Sequence, residues 1–100
     1  MTRAIFHLFN HLTGIWGLIN NAGVAGNAGQ YDWWTREEIR SIIEVNCLGV
    51  VDVTNVFLPL IKKAKGRIVN VSSVHGIFSI GVGGYDISKF GVEAFSDGLR

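Results

Sequence analysis

Two short apolar runs, separated by one long helical pattern, constrain this 100-residue chain more than any other feature of its sequence. Residues 15–20 read IWGLIN and residues 67–72 read RIVNVS, and such unalternating runs are typical of strands buried on both faces of a sheet. Thr35 begins the capping-box pattern TREE, which predicts the start of a helix. Apolar residues then recur at helical spacing, so we predict one helix over residues 35–65, closed by Gly66.

The order of these elements predicts a βαβ unit in an α/β fold. Parallel strands need such a crossover helix, and the connection is right-handed. Further helical patterns flank the unit, over residues 3–13 and from Tyr85 to the end of the chain. Two parallel strands are too few for a stable sheet, since parallel sheets normally have more strands and helices on both faces. We therefore expect the central piece of a doubly wound parallel sheet, truncated at both ends.

Composition excludes several classes of function. Nine Lys and Arg against eight Asp and Glu give a formal net charge of +1, without the cationic excess that nucleic-acid binding requires. The single cysteine, Cys47, cannot form an internal disulfide and is expected to be a small buried apolar residue. No secretory signal is visible, and polar side chains interrupt the longest apolar region, residues 47–61. We therefore expect no membrane-spanning helix in this sequence.

The histidines do not form a metal-binding pattern. His7 and His11 share one helical face, but Leu8 stands where a zinc-protease helix has its glutamate. We therefore expect no metal site. His75 follows the second strand in a loop, where exposure to solvent is the ordinary interpretation and contact with a substrate the alternative.

Tyr85 and Lys89 are the first candidates for chemistry. They are four residues apart, so they share one face of the last helix. A phenol with its ordinary pKa of about 10 is a weak base near neutrality, but a neighbouring ammonium favours the ionised form. Such a pair is also common in ordinary helix packing, and the surrounding residues must therefore decide its meaning.

The surrounding polar residues favour a site at one edge of the sheet. Ser72 and Ser73 follow the second strand, and the segment 20–23 ends the first. The carboxyl ends of parallel strands are where open α/β sheets bind ligands. Asn46 interrupts an apolar helix, either as a solvent-facing residue or as a polar group turned into this cleft.

Taken in order, these residues resemble the short-chain dehydrogenase/reductase family. The motifs that carry the resemblance are NNAG at 20–23, VNCLG at 45–49, GRIVNVSS at 66–73 and YDISK at 85–89. Residues 71–74, 83–85 and 87–97 are similar to the retinol and hydroxysteroid dehydrogenase branch. The resemblance implies a Rossmann-type fold in which residues 1–100 form part of a dinucleotide-binding domain.

The resemblance also implies roles for individual residues. Tyr85 is the expected general acid/base, and Lys89 is expected to hold the nicotinamide ribose and to favour the ionised phenol. Ser73 is expected to hydrogen-bond the substrate oxygen. Ser72 remains the alternative, because many family members have one more residue between the serine and the tyrosine. Asn46 is expected to hold a water molecule in a proton relay.

The same resemblance implies a cofactor, a substrate class and partners. Asn21, Ala22 and Gly23 are expected to line NAD or NADP, with NAD favoured by the branch. The implied reaction is hydride transfer between this cofactor and the alcohol or carbonyl group of a small lipophilic, retinoid- or steroid-like substrate. The implied enzyme is intracellular and associated with the endoplasmic reticulum. It pairs as a homodimer through helices 35–65 and 85–100, and attaches to a membrane only through a segment outside these residues.

One departure from the family pattern supports a second hypothesis. The glycine-rich turn that binds the cofactor phosphates, and the residue that selects NAD or NADP, are missing from these 100 residues. The segment 23–26 does not replace the turn, because we predict no helix beginning there. The alternative is a catalytically incompetent fragment that acts at most as a subunit-association surface.

Overall fold

The chain forms a βαβ unit followed by a helix, in a computed structural model that describes residues 14–26, 31–79, 81 and 83–100. The strands are β1 (Gly17–Asn20) and β2 (Arg67–Asn70). The helical elements are α1 (Arg36–Ile43), a π-helical segment (Glu44–Leu48), α2 (Gly49–Ala64) and α3 (Gly84–Leu99), with single 3-10 turns at Tyr31–Trp33 and Val74–Gly76. The predicted α/β fold is confirmed, whereas the helix predicted over residues 3–13 lies outside the described residues.

The two strands pair in parallel and end at the same edge of the sheet. Asn20 lies opposite Asn70, at the last position of each strand. The ladder continues at both ends, where the Arg67 N–H donates to the Trp16 carbonyl and the Val71 N–H to the Asn20 carbonyl, each at 2.9 Å. The polar segments that follow the two strands are therefore neighbours, as the sequence predicts.

Buried amides and hydroxyls hold this register and attach both long helices to one face of the sheet. The Asn20 amide donates to Asn70 Oδ1 at 2.8 Å and to Thr54 Oγ1 of α2 at 3.0 Å. The Asn70 amide donates to Ser96 Oγ of α3 at 2.9 Å. A shift of one residue would turn either amide to the opposite face and break the whole set.

The opposite face of the sheet is exposed in this chain, although the apolar runs that form the strands are typical of strands buried on both faces. Ile19 and Val69, which point away from the helices, are 69% and 52% exposed. The difference arises because α2 and α3 both reach the face that carries Asn20 and Asn70.

A π-helical segment divides the helix predicted over residues 35–65. The capping box is present as predicted: Thr35 Oγ1 accepts from the Glu38 N–H, and Glu38 Oε2 accepts from the Thr35 N–H. From Glu44 onwards the hydrogen bonding widens, and the Gly49 N–H bonds the Glu44 carbonyl five residues back. Such wide turns are frequent at functional positions, and this one contains the buried Asn46.

The helix ends one residue earlier than the glycine predicts. Lys65 takes the left-handed conformation, with φ of 52°, and its N–H bonds the Lys62 carbonyl. The Gly66 N–H bonds the Ile61 carbonyl, which completes a Schellman motif. A Cβ at Gly66 would stand 2.5 Å from the Trp16 carbonyl oxygen, so this glycine is required for close approach to β1 rather than for a positive φ.

The helical run Arg36–Ala64 is long and apolar enough to cross a membrane by length and composition alone, contrary to the expectation from sequence. In the fold it is the crossover between β1 and β2, and it buries Asn46 and Thr54. Both residues hydrogen-bond to other elements, which attaches this run to β1 and α3.

We expect the isolated 100-residue chain to self-associate, because Ile19 and Val69 leave an apolar stripe on the sheet open to solvent. Val69→Lys places a charge in this stripe and should lower the weight-average sedimentation coefficient. Asp32→Lys places a lysine at an exposed position of the 3-10 turn Tyr31–Trp33, outside the long helices, and should leave the association unchanged. A monodisperse parent chain with a cooperative thermal transition would contradict this expectation.

Candidate active site

The first turn of α3 is seated against α1 and Trp34. Gly83 has a φ of 53°, and a Cβ there would stand 2.3 Å from Trp34 Cε2. A Cβ at Gly84 would lie 3.1 Å from Ile39 Cα in α1. The two glycines therefore allow close packing just before Tyr85, as the sequence indicates.

Tyr85 and Lys89 share one face of α3, as predicted. Lys89 Nζ lies 5.6 Å from the centroid of the Tyr85 ring and donates to the Val71 carbonyl at 3.2 Å. The Lys89 residue is only 5% exposed. An ammonium carries three donors, and among the described residues Val71 is its one hydrogen-bond partner. The remaining donors can bind hydroxyl groups of a ligand.

The two serines after β2 have different surroundings. Ser73 caps the 3-10 turn by accepting from the His75 N–H at 3.2 Å, which leaves its own hydroxyl proton available. Ser72 Oγ is buried and has no hydrogen-bond partner among the described residues. It lies 2.8 Å from the position of a Cβ on Gly76, beneath the same turn.

His75 connects the 3-10 turn that Ser73 caps, here called the serine turn, to Tyr85. Its ring meets the Tyr85 ring edge to face, with centroids 5.1 Å apart and an interplanar angle of 82°. Ser73 bonds the backbone of His75, so the turn that carries Ser73 also packs against Tyr85. The structure therefore brings Ser73, Tyr85 and Lys89 into one neighbourhood.

Asn46 links the loop after β1 to α3. Its side chain is 1% exposed, and its amide donates to the Val24 carbonyl at 2.7 Å and to Ser88 Oγ at 3.1 Å. Its Oδ1 accepts from the Val24 N–H at 2.7 Å, and Ser88 Oγ donates in turn to the Tyr85 carbonyl. Both donors of the amide are occupied by protein groups, and one lone pair of Oδ1 remains for a water molecule.

The loop Asn21, Ala22 and Gly23 reaches the same group of residues. A Cβ at Gly23 would lie 3.4 Å from Asn46 Oδ1 and 3.7 Å from Lys89 Nζ. Asn21 and Ala22 are exposed and line a small cavity of about 160 Å³ next to α2. A larger groove of about 690 Å³ runs between α2, β2 and the second half of α3, and none of the predicted site residues lines it.

Asp86 is a buried acidic residue that the sequence analysis missed. It is 1% exposed and accepts from Ser79 Oγ at 2.7 Å and from the Gly81 N–H at 3.0 Å. It also bonds His75 Nδ1 at 2.5 Å, and the His75 side chain is only 19% exposed. The interpretation of His75 as an exposed loop residue is therefore wrong. The acidic residue inside the YDISK motif could have indicated this buried contact. Acidic residues are, however, also common in the first turn of a helix, where they interact favourably with the helix dipole.

Cys47 and the histidine pattern give no sign of further chemistry. Cys47 is half-buried, with its sulfur 2.6 Å from the position of a Cβ on Gly91, and burial raises the pKa of its thiol. A raised pKa disfavours the nucleophilic thiolate. The described residues contain no group of three or more metal-ligating side chains, while His7 and His11 lie outside them.

Proteins of known sequence match the chain along most of its length. A family model described as short chain dehydrogenase matches residues 1–100. Retinol dehydrogenase 16 of Rattus norvegicus is 53% identical over 88 residues, which cover 88% of this chain and 28% of that protein. Human dehydrogenase/reductase SDR family member 9 is 56% identical over 87 residues, covering 87% of this chain and 27% of that protein. The chain thus spans little more than a quarter of the length of these relatives.

Solved structures show the same fold. An alcohol dehydrogenase from the archaeon Thermococcus sibiricus, complexed with 5-hydroxy-NADP, superposes with a TM-score of 0.86 at 25% identity, over 95% of this chain and 40% of that one. Levodione reductase gives a TM-score of 0.85 at 28% identity, over 95% and 38% of the two chains. Sequence and structure agree, and the chain belongs to the short-chain dehydrogenase family.

Proposed function

We propose that the native protein, meaning this chain with any sequence that accompanies it in the cell, is a nicotinamide-dependent oxidoreductase that interconverts alcohols and carbonyl compounds. One observation carries the proposal: the buried Lys89 ammonium is fixed by the Val71 carbonyl beside the Tyr85 ring, next to the turn of Ser73. The family membership and the relatives named retinol dehydrogenases support it.

Tyr85 is the proposed general acid/base. In the direction of oxidation its phenolate oxygen takes the hydroxyl proton of the substrate, and in reduction the phenol returns it. The buried Lys89 ammonium lies 5.6 Å from the centroid of the Tyr85 ring and is proposed to stabilise negative charge on the phenol oxygen during proton transfer. The bond to Val71 holds that charge in position.

Lys89 and the loop 21–23 are the proposed cofactor contacts. The residues fit the group, because a buried ammonium with unused donors faces a glycine that leaves space between Lys89 and Asn46. The nicotinamide cofactor, when bound, supplies or accepts the hydride. Lys89 then holds ribose hydroxyls, while Asn21, Ala22 and Gly23 line the cofactor. We favour NAD over NADP from the resemblance to the retinol dehydrogenase branch.

Ser73 is the proposed ligand of the substrate oxygen. Its oxygen already accepts the His75 N–H, so its proton is free to be donated to a carbonyl or alkoxide oxygen. A donor fixed in this way stabilises the negative charge that develops on this oxygen. Ser72 Oγ lies beneath the turn, which favours Ser73 over it for this role.

Asn46 is proposed to act in two ways. Its side chain bonds the N–H and the carbonyl of Val24 and so holds the loop 21–24, which is proposed to line the cofactor. Its remaining Oδ1 lone pair can hold the water molecule of the expected proton relay. A proton taken up by Tyr85 would leave towards solvent through such a water.

The finer assignments rest on the branch resemblance. The proposed substrate is a small lipophilic alcohol or ketone of retinoid or steroid type, and the proposed location is the endoplasmic reticulum. Two copies are proposed to pair through the long helices, which carry Leu48, Val53 and Phe90 with 40% to 48% of their surface exposed. Membrane attachment is proposed to use a segment outside these 100 residues.

Tyr85→Phe should lower kcat of the native protein at least about 100-fold, because it removes the group that transfers the proton. The ring remains, so its contacts with His75 and Lys89 persist and cofactor affinity should change less than about threefold. Steady-state kinetics and a fluorescence titration with NADH measure the two effects. A rate close to that of the parent would contradict the role of Tyr85.

Lys89→Met should lower kcat and also raise the KM for the cofactor, since Lys89 is proposed to serve both the phenol and the ribose. Lys63→Met removes an exposed lysine of α2 and is the matched control, expected to change neither parameter. A Lys89→Met protein with an unchanged KM for the cofactor would remove Lys89 from the cofactor site.

Asn46→Leu should weaken cofactor binding about tenfold or more. It removes both bonds that fix the N–H and the carbonyl of Val24, and each such bond contributes about 0.5–1.5 kcal/mol to holding the loop in place. Parallel titrations with NADH and NADPH test this change and the cofactor preference, with Asn55→Leu on the exposed side of α2 as control. Equal affinity in the parent and Asn46→Leu would show that the bonds to Val24 do not shape the loop.

A further inference from the structure

We propose that the hydrogen-bonded pair His75–Asp86 is a positioning device for Tyr85 and Ser73, an inference that rests on the proposed oxidoreductase function. The two residues belong to different elements: His75 lies in the 3-10 turn after β2, and Asp86 in the first turn of α3. Each has a proposed catalytic residue as a direct neighbour, through the Ser73–His75 hydrogen bond and the Tyr85–Asp86 peptide bond.

The carboxylate of Asp86 is held by more than one element. Its Oδ2 accepts from Ser79 Oγ and from the Gly81 N–H, and its Oδ1 faces His75 Nδ1. An ionised carboxylate is an acceptor only, so three converging donors suit it. The loop between the turn and α3 is thereby attached to the residue that follows Tyr85.

The same bond fixes the tautomer and plane of the imidazole. Because Nδ1 faces a carboxylate oxygen, the proton of a neutral His75 is assigned to Nδ1. The ring is then held at 82° to the Tyr85 ring, in the edge-to-face geometry that aromatic pairs prefer. Tyr85 thus has Lys89 near its ring on the helix and His75 against it from the turn.

This arrangement bears on rate because proton transfer depends on the distance between the phenol and the substrate oxygen. A displacement of about 1 Å in a catalytic group can cost about 100-fold in rate. The pair neither transfers the proton nor binds the cofactor in this proposal. Its loss should therefore lower kcat while cofactor binding, which uses Lys89 and the loop 21–23, remains.

Three variants of the native protein separate the contacts of the pair. Asp86→Asn keeps the shape but replaces an acceptor oxygen with a donor. His75→Phe keeps a ring against Tyr85 but cannot donate to Asp86, whereas His75→Asn keeps a donor and loses the ring. Asp97→Asn changes an exposed carboxylate on the same helix and is the control.

Asp86→Asn and His75→Phe should each lower kcat about tenfold, with a KM for the cofactor within twofold of the parent and a larger solvent deuterium isotope effect on kcat. His75→Asn, which keeps a donor for Asp86, should lower kcat less than His75→Phe. The double variant of His75→Phe and Asp86→Asn should lose no more than the worse single variant, because both break one device. Near-ultraviolet circular dichroism at the assay temperature must show all variants folded.

Several results would overturn the proposal: kcat within twofold of the parent in both single variants, losses that multiply in the double variant, or losses that follow the unfolded fraction. Nitrogen-15 NMR gives a readout that needs no activity. His75 should show the Nδ1–H tautomer, and Asp86→Asn should shift the ring resonances of Tyr85. If the parent has no oxidoreductase activity, the proposed function fails, and unchanged Tyr85 resonances in Asp86→Asn would then overturn the positioning role separately.

Discussion

The parallel pairing of β1 with β2 is the constraint on which the rest of the structure depends. It is set by the last residue of each strand, where the amides of Asn20 and Asn70 bond one another and then reach hydroxyls of α2 and α3. With that register, the loop after β1 and the serine turn after β2 leave the sheet side by side. The polar groups of the candidate site come together because two strand ends do, and a slip of one residue would separate them.

The candidate site is held together by hydrogen bonds between different secondary-structure elements, which are distant in sequence. Asn46 joins the π-helical segment to the loop at Val24 and to α3 at Ser88. Lys89 joins α3 to the end of β2 at Val71. Each contact crosses from a helix to a loop or strand end, so helix packing and site geometry are set by the same hydrogen bonds. The π-helical segment fits this picture, because it stands where Asn46 must reach two other elements.

The sequence predicts the order of the elements, the parallel pair and the convergence of its motifs, because periodicity and capping are local properties of the chain. It did not predict the π-helical turn at Glu44–Leu48, whose Asn46 bonds residues 22 and 42 positions away, because contacts at that distance leave no local pattern. The pair His75–Asp86 was not predicted for a similar reason. Each residue has an ordinary local explanation, and only the tertiary fold brings the two together. The left-handed Lys65 differs from expectation because Gly66 is required next to β1.

Much of the buried part of the structure consists of polar side chains. Among the described residues the polar side chains Asn20, Asn46, Thr54, Asp86, Ser88 and Lys89 are buried as deeply as the apolar core. All of them make hydrogen bonds, which offsets a desolvation penalty that would otherwise be prohibitive. Replacing both partners of a buried hydrogen bond by apolar groups of the same shape can be nearly neutral, so stability alone does not account for these residues. Their hydrogen bonds fix the strand register and join the elements that carry Ser73, Tyr85 and Lys89, which an apolar core without directional contacts could not do.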